Sequence, residues 1–497
     1  MRYFNTTGLC VPDQDYMVDI SGKIRRIREM VGRGYYFTIN RARQYGKTTT
    51  LSRLEKNLFD EYVCARISFE GLGDEPFRSP PAFCAIFTRL IQRALRFSSA
   101  AEEGAYIESW VDPEVRDFDL LSQHIDRMCR DRKFVLMIDE VDKTSGNRTY
   151  IHFLGMLRDM YLSRKDGRIC TFQSVILAGV YDIKNLKLKM MNEGVYSPAA
   201  DEGKLYNSPW NIAADFTVDM SFNPEEIATM LGEYEGDHHT GMDIPAISGE
   251  IYAYTAGYPF LVSRICQLLD ERFERDWSLE GVRRTVKYLV GQEQNTLFDD
   301  IFKNLEAYKD LYELIYDVLI LGIEKKYSAD DPVVNRALMF GFVRQGEGKI
   351  LPANRIFEIR ITNYFISKDA RRPGRREVNG VFKYDVVKEG RFDMELCLRR
   401  FARHFSQGFS KRDIPFLERH GRLVFLSFLT PLINGEGFYY IESETTDAQR
   451  MDLVVSYNRE EFIIELKIWR GGEAHRAGVE QLAGYLRRRG AREGYLL

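Results

Sequence analysis

The chain has 497 residues, room for roughly three or four domains, and its 44% hydrophobic and 29% charged composition is that of a folded globular protein, not a disordered or fibrous one. A formal net charge of −3 excludes a globally basic, nucleic-acid-coating protein and confines any phosphate-binding surface to local patches. Seven cysteines without a CxxC pair argue against a disulfide framework or zinc knuckle and fit thiols in a reducing cytoplasm; there is no signal-peptide core and no apolar run near the ~20 residues of a membrane span.

In chain order, the first strand-like run is Tyr35-Tyr36-Phe37-Thr38-Ile39. It leads into Asn40-Arg41-Ala42-Arg43-Gln44-Tyr45-Gly46-Lys47-Thr48-Thr49-Thr50 and a helical pattern through Leu58. Strand, loop, Gly-Lys-Thr and helix is the context of a phosphate-binding loop. Loop amides and the helix N-terminus hold phosphates. The candidate set is Arg43, Gly46, Lys47, Thr48 and Thr49, with Lys47 reaching the β- and γ-phosphates of ATP and Thr48 ligating Mg²⁺. The pattern departs from GxxxxGK[ST] in having Arg41 where a glycine usually supplies an unusual backbone angle.

Ala65-Arg66-Ile67-Ser68-Phe69 is a second strand. Phe134-Val135-Leu136-Met137-Ile138 is a third, an unbroken apolar run such as a parallel strand buried on both faces requires, and it ends in Asp139-Glu140. Strand C-termini are where α/β sites lie. Asp139 is therefore the expected support of the Mg²⁺ shell, and Glu140 the residue expected to polarise the hydrolytic water. Ser174–Val180 and Phe216–Met220 are predicted to complete a parallel, three-layer sheet with alternating helices. Gly257-Tyr258-Pro259 then enters a helix. This resembles the Gly-x-Pro motif of signal-transduction ATPases and their AAA+ relatives, which implies that Pro259 lies against bound nucleotide; a turn followed by a helix N1 proline reads the same way.

Residues from about 225 to 300 read as a mostly helical lid. An amphipathic Leu311–Leu319, a helix from Pro332 to Met339 and two short runs flanking Gly346-Glu347-Gly348 predict a small winged-helix-like domain, serving either DNA binding or packing against the ATPase. Lys368-Asp369-Ala370-Arg371-Arg372-Pro373-Gly374-Arg375-Arg376 reads as a linker or exposed loop, with phosphate neutralisation as the other reading. Arg487-Arg488-Arg489 is the better candidate for nucleic-acid contact.

The C-terminal part carries the most informative pattern. Arg450–Tyr457 and Glu461–Trp469 are strand-like and are predicted to pair about Tyr457-Asn458-Arg459-Glu460, with Asp452 near the start of the first and Glu465 and Lys467 on one face of the second. Charges in an apolar strand need a partner or a metal. Two carboxylates and an ammonium at one point suit a divalent cation and an attacking water. Asp, a gap of about a dozen residues and Glu-x-Lys resemble the core of the PD-(D/E)XK nuclease superfamily. That resemblance implies that Asp452 and Glu465 bind magnesium and that Lys467 positions or activates water. It further implies an upstream glutamate, met by Glu442 with Glu444 as its rival, and a glutamine on the following helix, met by Gln481; the superfamily's proline is replaced by Met451. Gly494–Leu497 reads as the start of another strand.

The order as a whole resembles bacterial AAA-ATPase-like proteins with a C-terminal PD-(D/E)XK nuclease domain. The expected architecture is α/β multidomain: a P-loop (ASCE/AAA-like) three-layer α/β ATPase at 1–222, a helical lid at 223–305, a winged-helix-like domain at 306–367, a linker at 368–390 and a nuclease-like α/β domain at 391–497. The expected function is an ATPase whose nucleotide state regulates a metal-dependent nuclease acting on nucleic acid, DNA before RNA, in the cytoplasm and without membrane contact. The competing readings are an ATP-dependent switch or scaffold with a degenerate nuclease fold, and a ring-forming motor on DNA.

Overall fold

The computed structural model of the chain describes all residues except 1, 99–102, 142–146, 181–209, 321–322, 371–385, 389–390, 409–421, 423–424, 427, 431, 434–436, 441–452, 459, 467–471 and 490–492. Two compact units result, Met1–Ser248 with Gly257–Gln267, and Gly249–Ala256 with Leu268–Leu497.

The first unit is built on a parallel sheet of β1 (Phe37–Asn40), β2 (Val63–Ser68), β3 (Phe134–Asp139) and β4 (Ser174–Gly179), in the spatial order β1-β4-β3-β2. Every residue of β3 and β4 is buried. Side chains alternate across the sheet. Phe134, Leu136 and Ile138 of β3, with Val175 and Leu177 of β4, enter one core with α3 (Pro80–Leu95), α5 (Phe118–Cys129) and α6 (Arg148–Lys165), helices that flank the short α4 (Gly104–Glu108). Val135, Met137, Ile176 and Ala178 are buried on the other face, outside that core. There α1 (Ser21–Gly32) and α2 (Lys47–Leu58) pack, with α2 against β2, β3 and β4. Coverage on both faces is why these strands are unbroken apolar runs. Aromatic rings dominate the first core: Phe83 and Phe87 both lie 4.9 Å from Phe153, and Phe69 meets Tyr150 edge-on at 5.9 Å.

The expected fifth strand at Phe216–Met220 does not form. Among the described residues, the pairing on that side of β1 is a single parallel bridge between Phe37 and Ala214, with the Ala214 amide donating to the Tyr36 carbonyl at 2.8 Å. Two residues on, Phe216 stacks on Phe37 at 5.8 Å, and the Val218 carbonyl accepts from the Arg41 guanidinium instead of from a strand amide. The predicted β1 also starts two residues late, at Phe37.

Three further helices follow, α7 (Pro224–His238), α8 (Ile244–Thr255) and α9 (Pro259–Glu271). A full capping box starts α7: Asn223 Oδ1 accepts from the Glu226 amide at 2.7 Å and Glu226 Oε2 from the Asn223 amide at 2.9 Å, with Pro224 at N1. Between α8 and α9 the chain turns through two left-handed residues, Ala256 at φ 45° and Gly257 at φ 72°.

The second unit contains helices at Leu279–Gly291, Thr296–Ala307, Lys309–Leu319, Pro332–Met339 and Arg355–Ala370. Before the last of these, β5 (Val343–Gly346) and β6 (Lys349–Pro352) form the predicted hairpin. Its two turn residues, Glu347 and Gly348, have φ 49° and 76°, as the twist of a two-residue hairpin requires. Lys326 bridges antiparallel to Lys349, extending the hairpin by a third short segment. The first residues of the expected linker, 368–370, end the helix Arg355–Ala370, and Lys368 packs its ammonium over Tyr312 and Tyr364; residues 371–376 of the basic run lie outside the described residues. A small hairpin, β7 (Val387–Lys388) with β8 (Arg391–Phe392), leads to a helix at Met394–Gly408. The last sheet has the order β12-β11-β10-β9, from β9 (Gly437–Tyr440), β10 (Leu453–Tyr457), β11 (Glu460–Glu465) and β12 (Tyr495–Leu496). Neighbouring strands are antiparallel except β11 and β12, which run parallel and are joined through the helix Gly472–Arg489. Val454, Ile463 and Leu482 pack together under this sheet, with Leu486 and Leu496 against them. The predicted hairpin register about Asn458 and the terminal strand are both present.

The Gly257 turn is the tightest constraint in the first unit. A β-carbon there would meet the Phe222 carbonyl oxygen at 1.8 Å, and the two residues are tied by a 2.8 Å bond from the Phe222 amide to the Gly257 carbonyl. Gly257→Ala is expected to lower stability by roughly 2–4 kcal/mol, a steric and backbone cost together. Thermal denaturation against wild type checks this; an unchanged midpoint would contradict it.

Candidate functional site

The residues predicted around the phosphate loop converge at the C-terminal edge of the parallel sheet. β1 ends at Asn40, the loop turns through Gln44 (φ 56°) and Gly46 (φ 75°), and α2 begins at Lys47. The left-handed conformations fall at Gln44 and Gly46, not at Arg41, so position 41 has no need of glycine. Arg41 instead braces the loop: its guanidinium donates to the carbonyls of Asn40 at 2.8 Å and Val218 at 3.0 Å and lies over the Phe216 ring at 5.6 Å.

Lys47 is buried, and its ammonium donates to the carbonyls of Arg41 and Ala42, each at 3.0 Å. Thr48 Oγ1 donates to Asp139 Oδ2 at 2.7 Å, joining the first turn of α2 to the end of β3 across 91 positions of sequence. Asp139 is buried, and its other oxygen accepts from the Glu140 amide at 3.0 Å. Glu140 has φ 53°, a conformation uncommon for a residue with a β-carbon and concentrated at functional sites. A hydroxyl and a carboxylate 2.7 Å apart form an all-oxygen donor pair of the kind that holds Mg²⁺, which keeps most of its water and takes few protein ligands.

These groups open into a cavity of about 420 Å³ lined by Gln44–Thr50, Glu140 and Pro259. Pro259 stands opposite the loop, its Cβ 4.0 Å from where a β-carbon on Gly46 would lie. Thr49 Oγ1 accepts from the Cys10 amide at 3.3 Å, and Arg43 is exposed, with its carbonyl accepting from the Tyr258 hydroxyl at 2.5 Å. Much of the cavity wall comes from residues outside these motifs. The N-terminal stretch contributes Asn5–Gly8, Cys10 and Tyr16–Val18, α1 contributes Lys23 and Ile27, and Met220, Phe222, Met230 and Phe260 add an apolar side. Burial pushes the Cys10 thiol up from its ordinary value, which keeps it neutral beside the loop. Glu70, just beyond β2, supplies a second carboxylate to the wall; β2 lies beside β3 with Ser68 opposite Asp139. No periodicity marks these positions, because each arrives through tertiary contact.

The second candidate site is described only in part. Glu465 ends β11 and is 1% exposed, with its carbonyl accepting from the Leu497 amide at 2.8 Å. Gln481 falls on the helix Gly472–Arg489, as expected, though its side chain lies outside the described residues. Glu442, Glu444, Asp452 and Lys467 also lie outside them. Among the described residues no group of three or more His, Cys, Asp or Glu side chains is placed to hold a metal ion. All seven cysteines are free thiols, five of them buried. No described helix is long and apolar enough to cross a membrane.

No protein-family model matches the sequence. Over 366 residues the chain is 24% identical to a WD repeat-containing protein of Synechocystis sp.; the match covers 69% of this chain and 29% of that protein, so the chain spans less than a third of its relative's length. Among solved structures it is similar to the Walker-type ATPase PABY2304 of Pyrococcus abyssi (12% identity, TM-score 0.47, covering 71% of this chain and 98% of that one). It is also similar to the ORC2 protein of Aeropyrum pernix in ADPNP–ADP complexes (14%, TM-score 0.39, 74% and 98%) and to ORC1 of the same organism in complex with DNA (12%, TM-score 0.30, 71% and 94%).

Because Arg41 braces the loop, restoring the glycine of the usual pattern is expected to do harm. Arg41→Gly removes two hydrogen bonds to backbone carbonyls and adds backbone freedom, for a loss of about 1–3 kcal/mol. Denaturant unfolding of the variant checks this, and a gain in stability would refute it.

Proposed function

We propose that the first unit binds and hydrolyses ATP and that its nucleotide state controls a metal-dependent nuclease formed by the C-terminal α/β segment. The observation that carries the ATPase reading is the 2.7 Å bond between Thr48 and Asp139, with Lys47 beside it and Glu140 on the same cavity wall. The loop amides and the N-terminus of α2 favour phosphate by direct donation and by the helix dipole. Lys47, now held by two neutral carbonyls, has a stronger partner in a phosphate oxygen. Thr48 and Asp139 would hold Mg²⁺, which supplies charge neutralisation at the β- and γ-phosphates. Glu140 would orient the attacking water. The apolar wall of Ile27, Met220, Met230 and Phe260 suits a purine face.

The nuclease reading is supported by the strand register. Leu453 pairs with Ile464, and the residues next to them in sequence are Asp452 and Glu465. A buried glutamate at a strand end needs a cationic partner or a metal. In this reading Asp452 and Glu465, with Glu442 or Glu444, would hold the metal, and Lys467 and Gln481 would position the attacking water. A phosphodiester in nucleic acid, DNA before RNA, would be the substrate. The segment at 306–367, with its helices and hairpin, would serve as a winged-helix-like element, and residues 223–305 as the lid.

Lys47→Ala is expected to weaken ATP binding at least tenfold, whereas Glu140→Gln should retain binding and lose about 10²-fold or more of hydrolysis. Equilibrium binding and phosphate release check both. Equal hydrolysis by wild type and Glu140→Gln would remove Glu140 from the mechanism. For the second activity, labelled single- and double-stranded DNA is incubated with the protein and Mg²⁺ or Mn²⁺, with and without ATP, beside Glu465→Ala and Asp452→Ala. Cleavage is expected in wild type alone and should respond to ATP. Intact ATP hydrolysis without cleavage in any condition would favour the switch or scaffold.

A further inference from the structure

We infer that Tyr258 is a positioning residue for the phosphate loop, setting nucleotide affinity through one hydrogen bond to the Arg43 carbonyl; this rests on the ATP-binding reading above. A loop that cradles phosphate must turn its amides inward, and so its carbonyls must be held by other donors. Three consecutive carbonyls in this loop are held. Those of Arg41 and Ala42 accept from Lys47, and that of Arg43 accepts from the Tyr258 hydroxyl at 2.5 Å. The two anchors differ in one respect. In the ATP-bound reading Lys47 must turn toward phosphate, leaving the first two carbonyls. Tyr258 has no such second task and keeps the loop in shape when Lys47 departs.

The surroundings make Tyr258 a rigid anchor. It is 3% exposed, and its ring meets Tyr45 of the loop edge-on at 4.7 Å. The Tyr45 hydroxyl in turn shares a 2.7 Å hydrogen bond with Ser221 Oγ. The Ser221 carbonyl accepts from Lys23 Nζ at 2.9 Å, and Lys23 also pairs with Glu226 of the α7 capping box. The loop is thus gripped from the Gly257 turn by Tyr258 and from the start of α7 by Ser221. Neither grip lies within the loop sequence, and both act on residues immediately before Gly46.

The experiment uses the full-length protein and measures ATP and ADP affinity, kcat and KM for wild type, Tyr258→Phe and Tyr45→Phe. Phenylalanine retains the ring packing and removes only the hydroxyl. For Tyr258→Phe the expected result is a roughly three- to tenfold rise in Kd and KM, kcat within about twofold, and a thermal midpoint lowered by no more than the loss of one hydrogen bond gives. Tyr45→Phe, which cuts the Ser221 link and leaves the Arg43 bond, should show a smaller rise in the same direction. A merely structural role would lower the midpoint and leave the affinity of the folded protein unchanged. Wild-type affinity in Tyr258→Phe overturns the inference while leaving the ATPase reading intact. Failure of wild type itself to bind ATP overturns both.

Discussion

The hydrogen bond from Thr48 to Asp139 depends on the order of the sheet, and the rest of the first unit is arranged around that order. β1 carries the loop and β3 the acid, yet the two strands are not neighbours, because β4 is inserted between them. The insertion opens a crevice at the strand C-termini, the usual ligand position in an open α/β sheet. Helix α2 crosses back over β4 and β3 to reach β2, and its first turn therefore lies over the end of β3. Thr48 meets Asp139 for that reason. A chain with the same motifs and an uninserted sheet would have no crevice between loop and acid.

Burial of β3 and β4 on both faces gives that geometry its rigidity. Alternate residues of β3 enter two different cores, the aromatic one with α3, α5 and α6 and the other beneath α1 and α2. Each apolar side chain so buried contributes about 1.5–3 kcal/mol before entropy is counted. Asp139 is thereby fixed to a well-packed strand, and Glu140 takes an unfavourable backbone angle at the point where the packing ends. Strain of this kind persists only where the surrounding structure over-determines it.

What was legible in the sequence follows from the same physics. Strands covered on both faces declare themselves as apolar runs, so β3, with its terminal Asp139, and β4 were readable; so was the β10–β11 hairpin, whose turn at Asn458 needs a positive φ. Local chemistry marked Gly46, Lys47 and Thr48. The role of Arg41 was not readable, because its value lies in two carbonyls and a ring, one carbonyl and the ring more than 170 positions away. The N-terminal residues 5–18 and Glu70 reach the cavity only through tertiary packing, which leaves no periodic trace. Phe216–Met220 reads as a strand by composition, yet it makes only the Phe216 ring contact with Phe37 and the Val218 carbonyl contact with Arg41 that its tertiary surroundings give it. Of the second candidate site, the register and the buried Glu465 are described, but the other charged residues that would complete it are not.

The Gly257–Gln267 stretch belongs to the first unit, while the residues on both sides of it, Gly249–Ala256 and those from Leu268 onward, belong to the second. The chain thus enters the first unit for eleven residues and leaves again. Those residues include Tyr258, bonded to the loop, and Pro259, on the cavity wall. Gly257 itself cannot yield, since its φ of 72° and its contact with Phe222 fix the turn. Arg43 is accordingly held, through the Tyr258 hydroxyl, to a turn whose backbone is fixed at Gly257. The Tyr258 hydroxyl is the contact with the loop and the Gly257 turn is the stiff segment behind it, so the backbone at Arg43 and the start of α9 are fixed by the same few atoms.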